Sequence, residues 1–178
     1  ALETIQRCGG EARHVPVFHH VDLVDIEALQ SAVATAQDDF GSLQVLVNNA
    51  ANDDRHSWDE MTPEYWDDRI NVNLRHYFFT IQAAVPAMIA AQNGSIINIG
   101  SASARLPLSR VFTYSASKAA VHNLSKNIAR EWATRGVRVN LLVPGFFPAE
   151  QNRKVLTPDR IEQIMGHTPM KRFGNSDE

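Results

Sequence analysis

The sequence predicts an α/β protein in which helices cover both faces of a parallel, doubly wound β-sheet. Short apolar runs alternate with longer segments of helical periodicity along the 178 residues. The runs are almost continuously apolar, which is typical of strands buried on both faces of a parallel sheet. Because this alternation builds βαβ units with right-handed crossovers, we expect one domain over residues 1–178.

The first half of the chain is predicted to contain two strands and two complete helices. Residues 2–8 have the spacing of a helix end that glycines 9 and 10 close. Residues 14–23 are rich in β-branched and aromatic side chains and predict a strand, and residues 26–40 predict a helix. Residues 43–50 predict a second strand that ends in asparagines. A long helix should follow from Thr62 and kink or end at Pro86.

The second half repeats the alternation. Residues 94–101 predict a strand, residues 114–132 a helix, and residues 137–143 a further strand. A loop should follow from Pro144, and a short helix is expected over residues 157–166. The order of elements is therefore that of consecutive strand–helix units in one sheet.

Composition excludes several classes of function. A net charge of -3 offers no basic face for nucleic acid, and 44% hydrophobic with 21% charged residues is ordinary for a globular domain. The one cysteine, Cys8, cannot form an intrachain disulfide, and no apolar run is long enough to span a membrane. We expect a cytoplasmic protein. The histidines lack metal-site spacing, so no metal is expected; they are His14, His19, His20, His56, His76, His122 and His167.

Tyr114 and Lys118 lie one helical turn apart and therefore on one face of the predicted helix. A free phenol has a pKa near 10, and a neighbouring ammonium ion favours its ionised form. Taken alone, a tyrosine and a lysine at this spacing are also common on exposed amphipathic helices, where they merely contact each other. Ser101, thirteen residues upstream at the end of a strand, adds a hydroxyl at the sheet edge where ligands bind.

Five motifs in order resemble those of the short-chain dehydrogenase/reductase family. They are Asn48-Asn49-Ala50-Ala51, Asn71-Val72-Asn73-Leu74, Ile97 to Ser101, Tyr114 to Lys118, and Pro144-Gly145. The resemblance extends over nearly the whole chain. It implies a Rossmann-like fold and an enzyme that interconverts a hydroxyl and a carbonyl group with NAD or NADP.

The resemblance also implies the role of each catalytic residue. Tyr114 is expected to be the general acid/base, and Lys118 to lower its pKa and hold the nicotinamide ribose. Ser101 is expected to hydrogen-bond the reacting oxygen, and Asn73 to position a proton-relay water. This agrees with the chemistry, because the hydroxyl proton must leave as hydride leaves the carbinol carbon.

Further residues are expected to bind the cofactor on the same grounds. The adenine is expected to meet Asp22 and Leu23, the adenosine ribose Asn49 and Ala50, and the carboxamide Phe147 after the Pro144-Gly145 turn. Tyr114, Pro144 and Gly145 are expected to contact the cofactor as well. Each has a simpler explanation. Asp22 can cap the following helix, Asn49 can be a turn residue, and Pro144-Gly145 can be a plain turn.

The chain departs from the family pattern in several places. Ala51 and His76 stand where the family usually has glycine, and Gly100-Ser101 replaces a serine pair. The glycine-rich turn that holds the pyrophosphate is not found, so we expect a domain that lacks the first βαβ unit. Residues 172–174 resemble the element before a last helix and strand, and the last strand is expected to be missing as well.

Polar loops suggest the substrate class. Residues 51–56 and 150–153 should flank the substrate mouth, although such loops are often only solvated surface. Their likeness to sugar and sugar-acid dehydrogenases favours a sugar or sugar acid. The alternatives are a 3-oxoacyl-(acyl-carrier-protein) reductase and a catalytically inactive fragment. The resemblance further implies a homotetramer or homodimer formed through the helices of Thr62 and Tyr114.

Overall fold

The computed structural model describes residues 16–148 and 156–175. Strands and helices alternate along these residues, as predicted. Helices are α1 (Ile26–Phe40), α2 (Pro63–Ile70), α3 (His76–Ala90), α4 (Phe112–Trp132) and α5 (Pro158–His167), and strands are β1 (Val45–Asn48), β2 (Gly94–Ile99) and β3 (Val137–Leu142). A π-helical segment, Asn71–Arg75, joins α2 to α3.

The three strands form one parallel sheet in the order β1-β2-β3. In the central register, Leu46 pairs with Ile96 and Ile96 pairs with Val139. Each crossover contains a helix, so the predicted α/β fold with a parallel, Rossmann-like sheet is confirmed. The described elements follow the predicted order, except that the single helix expected from Thr62 is divided into α2, the π-helical segment and α3, and other boundaries shift by a few residues.

The hydrophobic core lies between the sheet and helices α3 and α4. Ile81 and Met88 of α3, Ile128 of α4, Ile96 of β2 and Val137 of β3 pack together in it. Side chains alternate between the faces of a strand, so Val45 and Val47 of β1 point to the opposite face, where each is more than half exposed. Within the described residues the apolar contacts are concentrated on one face of the sheet.

Helix ends follow local chemistry. Asp25, Thr62 and Thr157 are N-caps whose side-chain oxygens accept hydrogen bonds from the backbone of α1, α2 and α5. Gly41 ends α1 in the left-handed conformation that glycine adopts without strain. Because these caps are local features of the sequence, the starts of these helices could be predicted to within a few residues.

Three predictions need correction. Residues 16–23 are not in a strand, because no described strand lies beside them to complete a hydrogen-bonded ladder. Of the two outcomes expected at Pro86, a kink or an end of the helix, the end is wrong, since α3 continues to Ala90 with Val85 and Met88 buried in the core. Helix α4 begins at Phe112, two residues before Tyr114. The predicted helix end over residues 2–10 and the polar loop 150–153 lie outside the described residues.

Candidate active site

The candidate site lies where β2 ends, at the carboxyl edge of the sheet. Ser101 is extended and opens a 3-10 turn, with its hydroxyl oxygen accepting hydrogen bonds from the Ser103 amide (3.2 Å) and hydroxyl (2.9 Å). Because this oxygen accepts both bonds, the Ser101 proton remains free to be donated. The Ser101 amide in turn donates to Nε2 of His122 at 3.4 Å.

Helix α4 carries Tyr114 and Lys118 to this strand end. Tyr114 is half-buried, and the Ser101 side chain is close enough to its phenol to favour the ionised form. The Lys118 ammonium lies 5.6 Å from the centre of the Tyr114 ring. The structure therefore brings together Ser101, Tyr114 and Lys118, which the sequence had separated by up to seventeen positions.

The electrostatics of Tyr114 differ from the expectation. Burial raises the pKa of Tyr114 above its usual value, the Ser101 side chain acts against this, and the Asp53 carboxylate raises the pKa further. Lys118 is not among the groups that shift the pKa of Tyr114, and its ammonium donates to Tyr77 and Ile99 instead. In this arrangement Tyr114 is a protonated phenol at neutral pH.

Lys118 is almost completely buried, with 1% of its surface exposed. Its ammonium donates to the Tyr77 hydroxyl at 2.9 Å and to the Ile99 carbonyl at 2.7 Å. Burial lowers the pKa of Lys118 to about 8, against an opposing effect of Asp53. An ammonium has three protons, so one donor remains available for a ligand such as a ribose hydroxyl.

Asn73 lies in the π-helical segment and is fully buried. Its side chain accepts a hydrogen bond from the Asn52 amide at 2.7 Å and donates to the Asn52 carbonyl at 2.9 Å. A π-bulge within a helix is rare and often marks a functional site. Here the segment packs against α4, and Asn73 ties it to the loop that follows β1.

Three of the four residues expected to contact the adenosine are exposed. Asn49 and Ala50 are exposed directly after β1, and Asp22 is exposed while Leu23 is half-buried in the turn before α1. The Asp22 carboxylate accepts a hydrogen bond from the Val24 amide at 3.0 Å. The suggestion that Asp22 caps α1 is wrong, because the N-cap residue of α1 is Asp25.

The residues expected beside the nicotinamide follow β3. Pro144 is half-buried, and a Cβ added to Gly145 would meet no atom within 4 Å. The Phe147 ring lies against Gly174, and a Cβ added to Gly174 would come within 2.4 Å of that ring. The Gly174 amide also donates a hydrogen bond to the Phe146 carbonyl. Open space at Gly145 and the spare donor of Lys118 fit a nicotinamide nucleotide at this edge.

Sequence reasoning missed three groups around the site. Tyr77 contacts Lys118 directly, although its place in an aromatic run suggested only core or interface packing. His122, on α4, touches the backbone of Ser101. His76 is buried beside the backbone of Ala50 and Asn71. The departure of His76 from the family's glycine was the one available signal.

The family model of the short chain dehydrogenases matches residues 1–159. The chain belongs to this family. The chain spans about three fifths of the length of several curated relatives that it matches. One is D-xylose 1-dehydrogenase of Caulobacter vibrioides, which is 39% identical over 156 residues, covering 88% of this chain and 61% of the relative.

Two further similarities bear on the chemistry of this short chain dehydrogenase. A gluconate 5-dehydrogenase from Burkholderia cenocepacia, solved in complex with NADP and tartrate, superposes with a TM-score of 0.88 at 31% identity. The match covers 98% of this chain and 68% of that one. A 3-oxoacyl-(acyl-carrier-protein) reductase of Staphylococcus aureus is 35% identical over 153 residues, covering 86% of this chain and 62% of the relative.

The described residues also bear on metal binding and on membrane insertion. Within residues 16–148 and 156–175, no three histidine, cysteine, aspartate or glutamate side chains are placed to hold a metal ion. None of the helices in these ranges is long and apolar enough to cross a bilayer.

Proposed function

We propose that this short chain dehydrogenase interconverts a hydroxyl and a carbonyl group, with NAD or NADP as the hydride carrier. One observation carries the proposal, which is the meeting of Ser101, Tyr114 and a buried lysine ammonium at the end of β2. A hydroxyl donor, a phenol and a cation at one sheet edge are the groups that such a reaction needs.

The proton chemistry follows from these groups. During carbonyl reduction, Ser101 donates a hydrogen bond to the carbonyl oxygen and Tyr114 transfers its proton to that oxygen. During oxidation, the ionised phenol of Tyr114 accepts the hydroxyl proton as hydride leaves the carbinol carbon. The nicotinamide, when bound, supplies or accepts that hydride. The raised pKa of Tyr114 matches the proton-donor role at neutral pH.

Residues at the same edge of the sheet would hold the cofactor beside this chemistry. Lys118 would direct its third N–H to the nicotinamide ribose, and the open loop at Gly145 would admit the nicotinamide ring with Phe147 beside it. Asn49 and Ala50 would flank the adenosine ribose, while Asp22 and Leu23 would meet the adenine. Asn73 would hold the loop after β1, which its hydrogen bonds to Asn52 support, and would also position a relay water.

We propose a sugar or sugar acid as the substrate. The loop from Asn52 to His56 is polar and borders the site, and Asp53 is near enough to influence both Tyr114 and Lys118. The names of the xylose and gluconate relatives support the same class. The reductase relative of Staphylococcus aureus makes a 3-oxoacyl thioester the second candidate.

The test is a panel of aldoses, aldonates and acetoacetyl thioesters assayed with NAD and NADP. We expect turnover of a sugar or sugar acid, and we expect Tyr114→Phe to lower kcat at least 100-fold while cofactor binding is kept. Lys118→Ala should lower kcat and also weaken cofactor binding. Cofactor binding is measured by quenching of Trp58, Trp66 and Trp132 fluorescence. Undiminished turnover by Tyr114→Phe contradicts the mechanism, and absence of saturable binding favours an inactive fragment.

We also propose that copies of the chain associate through the outer face of α3 and α4. This face forms an apolar groove, which Phe78, Ile81, Val85, Ile89, Leu124 and Trp132 line. Phe78 is 45% exposed within it. An exposed apolar groove between two long helices is a common place for subunits to meet, and a homodimer or homotetramer is the expected assembly.

A further inference from the structure

Tyr77 is one of the most deeply buried side chains of the described protein, with 0% of its surface exposed. A phenol hydroxyl is costly to bury unless it is hydrogen-bonded. Tyr77 meets this requirement at one place, the end of β2. Its hydroxyl donates to the Ile99 carbonyl at 3.2 Å and accepts from the Lys118 ammonium at 2.9 Å.

These contacts close a ring of three hydrogen bonds. Lys118 also donates to the Ile99 carbonyl, at 2.7 Å, so the two side chains share one acceptor. The ammonium additionally lies 4.9 Å from the centre of the Tyr77 ring, within the range of a cation–π contact. The phenol therefore touches the lysine with both its oxygen and its aromatic face.

We propose that Tyr77 is a positioning residue that holds the Lys118 ammonium at the end of β2 and keeps it protonated inside the protein. The inference rests on the proposed function for the importance of Lys118. It adds a residue on α3 whose hydroxyl supports a lysine on α4. Tyr77 itself contacts no reacting atom in this arrangement.

Other ionisable groups face the same ammonium and must be considered with it. The Lys118 ammonium lowers the pKa of His76 on α3 and of His122 on α4, and Tyr114 on α4 also lies near it. Asp53, from the loop after β1, raises the pKa of Lys118, whereas burial lowers the pKa to about 8. Tyr77 differs from these groups because it is the only one of them that shares a hydrogen bond of 2.9 Å with the ammonium.

Removal of the Tyr77 hydroxyl has a definite consequence. In Tyr77→Phe the ammonium keeps the Ile99 carbonyl but loses a buried acceptor, which favours the neutral amine. Because a hydrogen bond to a charged group stabilises that charge, its loss should lower the pKa of Lys118 by about one pH unit. Phenylalanine fills the same space, so the core around Ile99 should remain packed.

The experiment is NMR titration of protein labelled with ¹³Cε-lysine. The chain has four lysines, and Lys118→Arg assigns the signal of interest. We expect the Lys118 midpoint to fall by about one pH unit in Tyr77→Phe. The matched control is Tyr65→Phe, which removes a phenol hydroxyl that bonds His56 rather than Lys118, and it should leave the midpoint unchanged. An unchanged midpoint in folded Tyr77→Phe overturns the proposal.

A second measurement needs no substitution at Tyr77 and covers the case in which that variant does not fold. The chain has three tyrosines, so ¹³Cζ-tyrosine labelling gives three signals, which Tyr65→Phe and Tyr114→Phe assign. We expect the Tyr77 signal of the unsubstituted protein to shift with the same midpoint as Lys118. A Tyr77 signal that stays constant through the Lys118 titration overturns the proposal.

Kinetics separate this inference from the proposed function. If the chain turns over a substrate of the panel, Tyr77→Phe should move the alkaline decline of kcat/KM to lower pH, because protonated Lys118 is lost earlier. If no substrate is turned over, the proposed function fails, and the two NMR titrations still decide the role of Tyr77. An alkaline decline that does not move in an active variant counts against the inference alone.

Discussion

At the scale of single residues, a line of buried amides crosses the sheet beside the candidate site. Asn48 donates to Asn98 at 2.9 Å, Asn98 donates to the Ser125 hydroxyl at 2.9 Å, and Ser125 donates to the Val121 carbonyl at 2.7 Å. Asn98 is fully buried. The line joins β1, β2 and α4 at one level, just before the strands end, and so holds the elements that carry Ser101 and Tyr114.

We expect Asn98→Ala to lower the free energy of unfolding by about 2–3 kcal/mol, because two buried partners lose their hydrogen bonds. Urea denaturation measures the change. Asn127→Ala is the matched control, since Asn127 is exposed on α4 and should change the free energy by less than about 0.5 kcal/mol. Equal effects of the two substitutions would contradict the role given to the buried line.

His76 makes stability depend on pH. Burial lowers the pKa of His76 from 6.5 to about 4, and its ring nitrogens have no hydrogen bond of normal geometry within the described residues. The unfolded chain therefore binds a proton at a higher pH than the folded chain does. Stability should be complete above pH 6.5 and should fall as the pH decreases toward 4, by on the order of 3 kcal/mol.

The measurement is urea denaturation at a series of pH values, with His76→Gln as the comparison. We expect the free energy of unfolding of the variant to decline less between pH 6.5 and 4, because glutamine has no proton to bind in that range. Parallel pH curves for the two proteins would show that the acid sensitivity arises elsewhere.

At the scale of elements, the turn between α4 and β3 depends on a glycine. Gly136 has a φ of +77°, and a Cβ there would lie 2.5 Å from the Gln92 carbonyl oxygen. The Gly94 amide donates to the Gly136 carbonyl, so the same turn registers β2 against β3. A displacement at this point would move the end of the helix that carries Tyr114.

Gly136→Ala should therefore destabilise the protein by about 1–2 kcal/mol, from left-handed backbone strain together with the backbone contact at Gln92. Gly166→Ala is the opposite case, since a Cβ at that position on α5 meets nothing within 4 Å. It should be neutral or stabilising by up to about 1 kcal/mol, because alanine favours a helix. Thermal denaturation of both variants checks the contrast in sign.

At the scale of the whole molecule, two of the exposed apolar surfaces of the described residues bear on association. One is the groove on the outer face of α3 and α4, and the other is the sheet face of Val45, Val47 and Leu142. Contiguous exposed apolar surface often marks a place where a protein contacts further protein. The groove is the surface to which we assign the subunit contact.

Phe78→Glu places a charge in the centre of that groove and should shift the protein toward the monomer. Light scattering coupled to size-exclusion chromatography measures the mass of each form. Met170→Glu is the control, because Met170 is 68% exposed and does not line the groove. An assembly that survives Phe78→Glu would place the interface elsewhere.

The sequence was most informative where local chemistry is sufficient. Helix α1 is defined by its apolar period, by Asp25 at its start and by Gly41 at its end, so both of its ends were predictable. Prediction failed where a partner decides the outcome. Residues 16–23 have strand composition but no neighbouring strand among the described residues, and Pro86 is tolerated because burial of Val85 and Met88 outweighs one lost hydrogen bond.

The amino-acid sequence by itself determined the family, the order of strands and helices, and the pairing of Tyr114 with Lys118 on one helix face, because these depend on spacing along the chain. Only the tertiary structure decided which groups the Lys118 ammonium contacts. It is directed to Tyr77 and Ile99, and Tyr114 is left with a raised pKa. The reason is that burial and hydrogen bonding arise between segments that the fold brings together, and spacing along one helix does not report them.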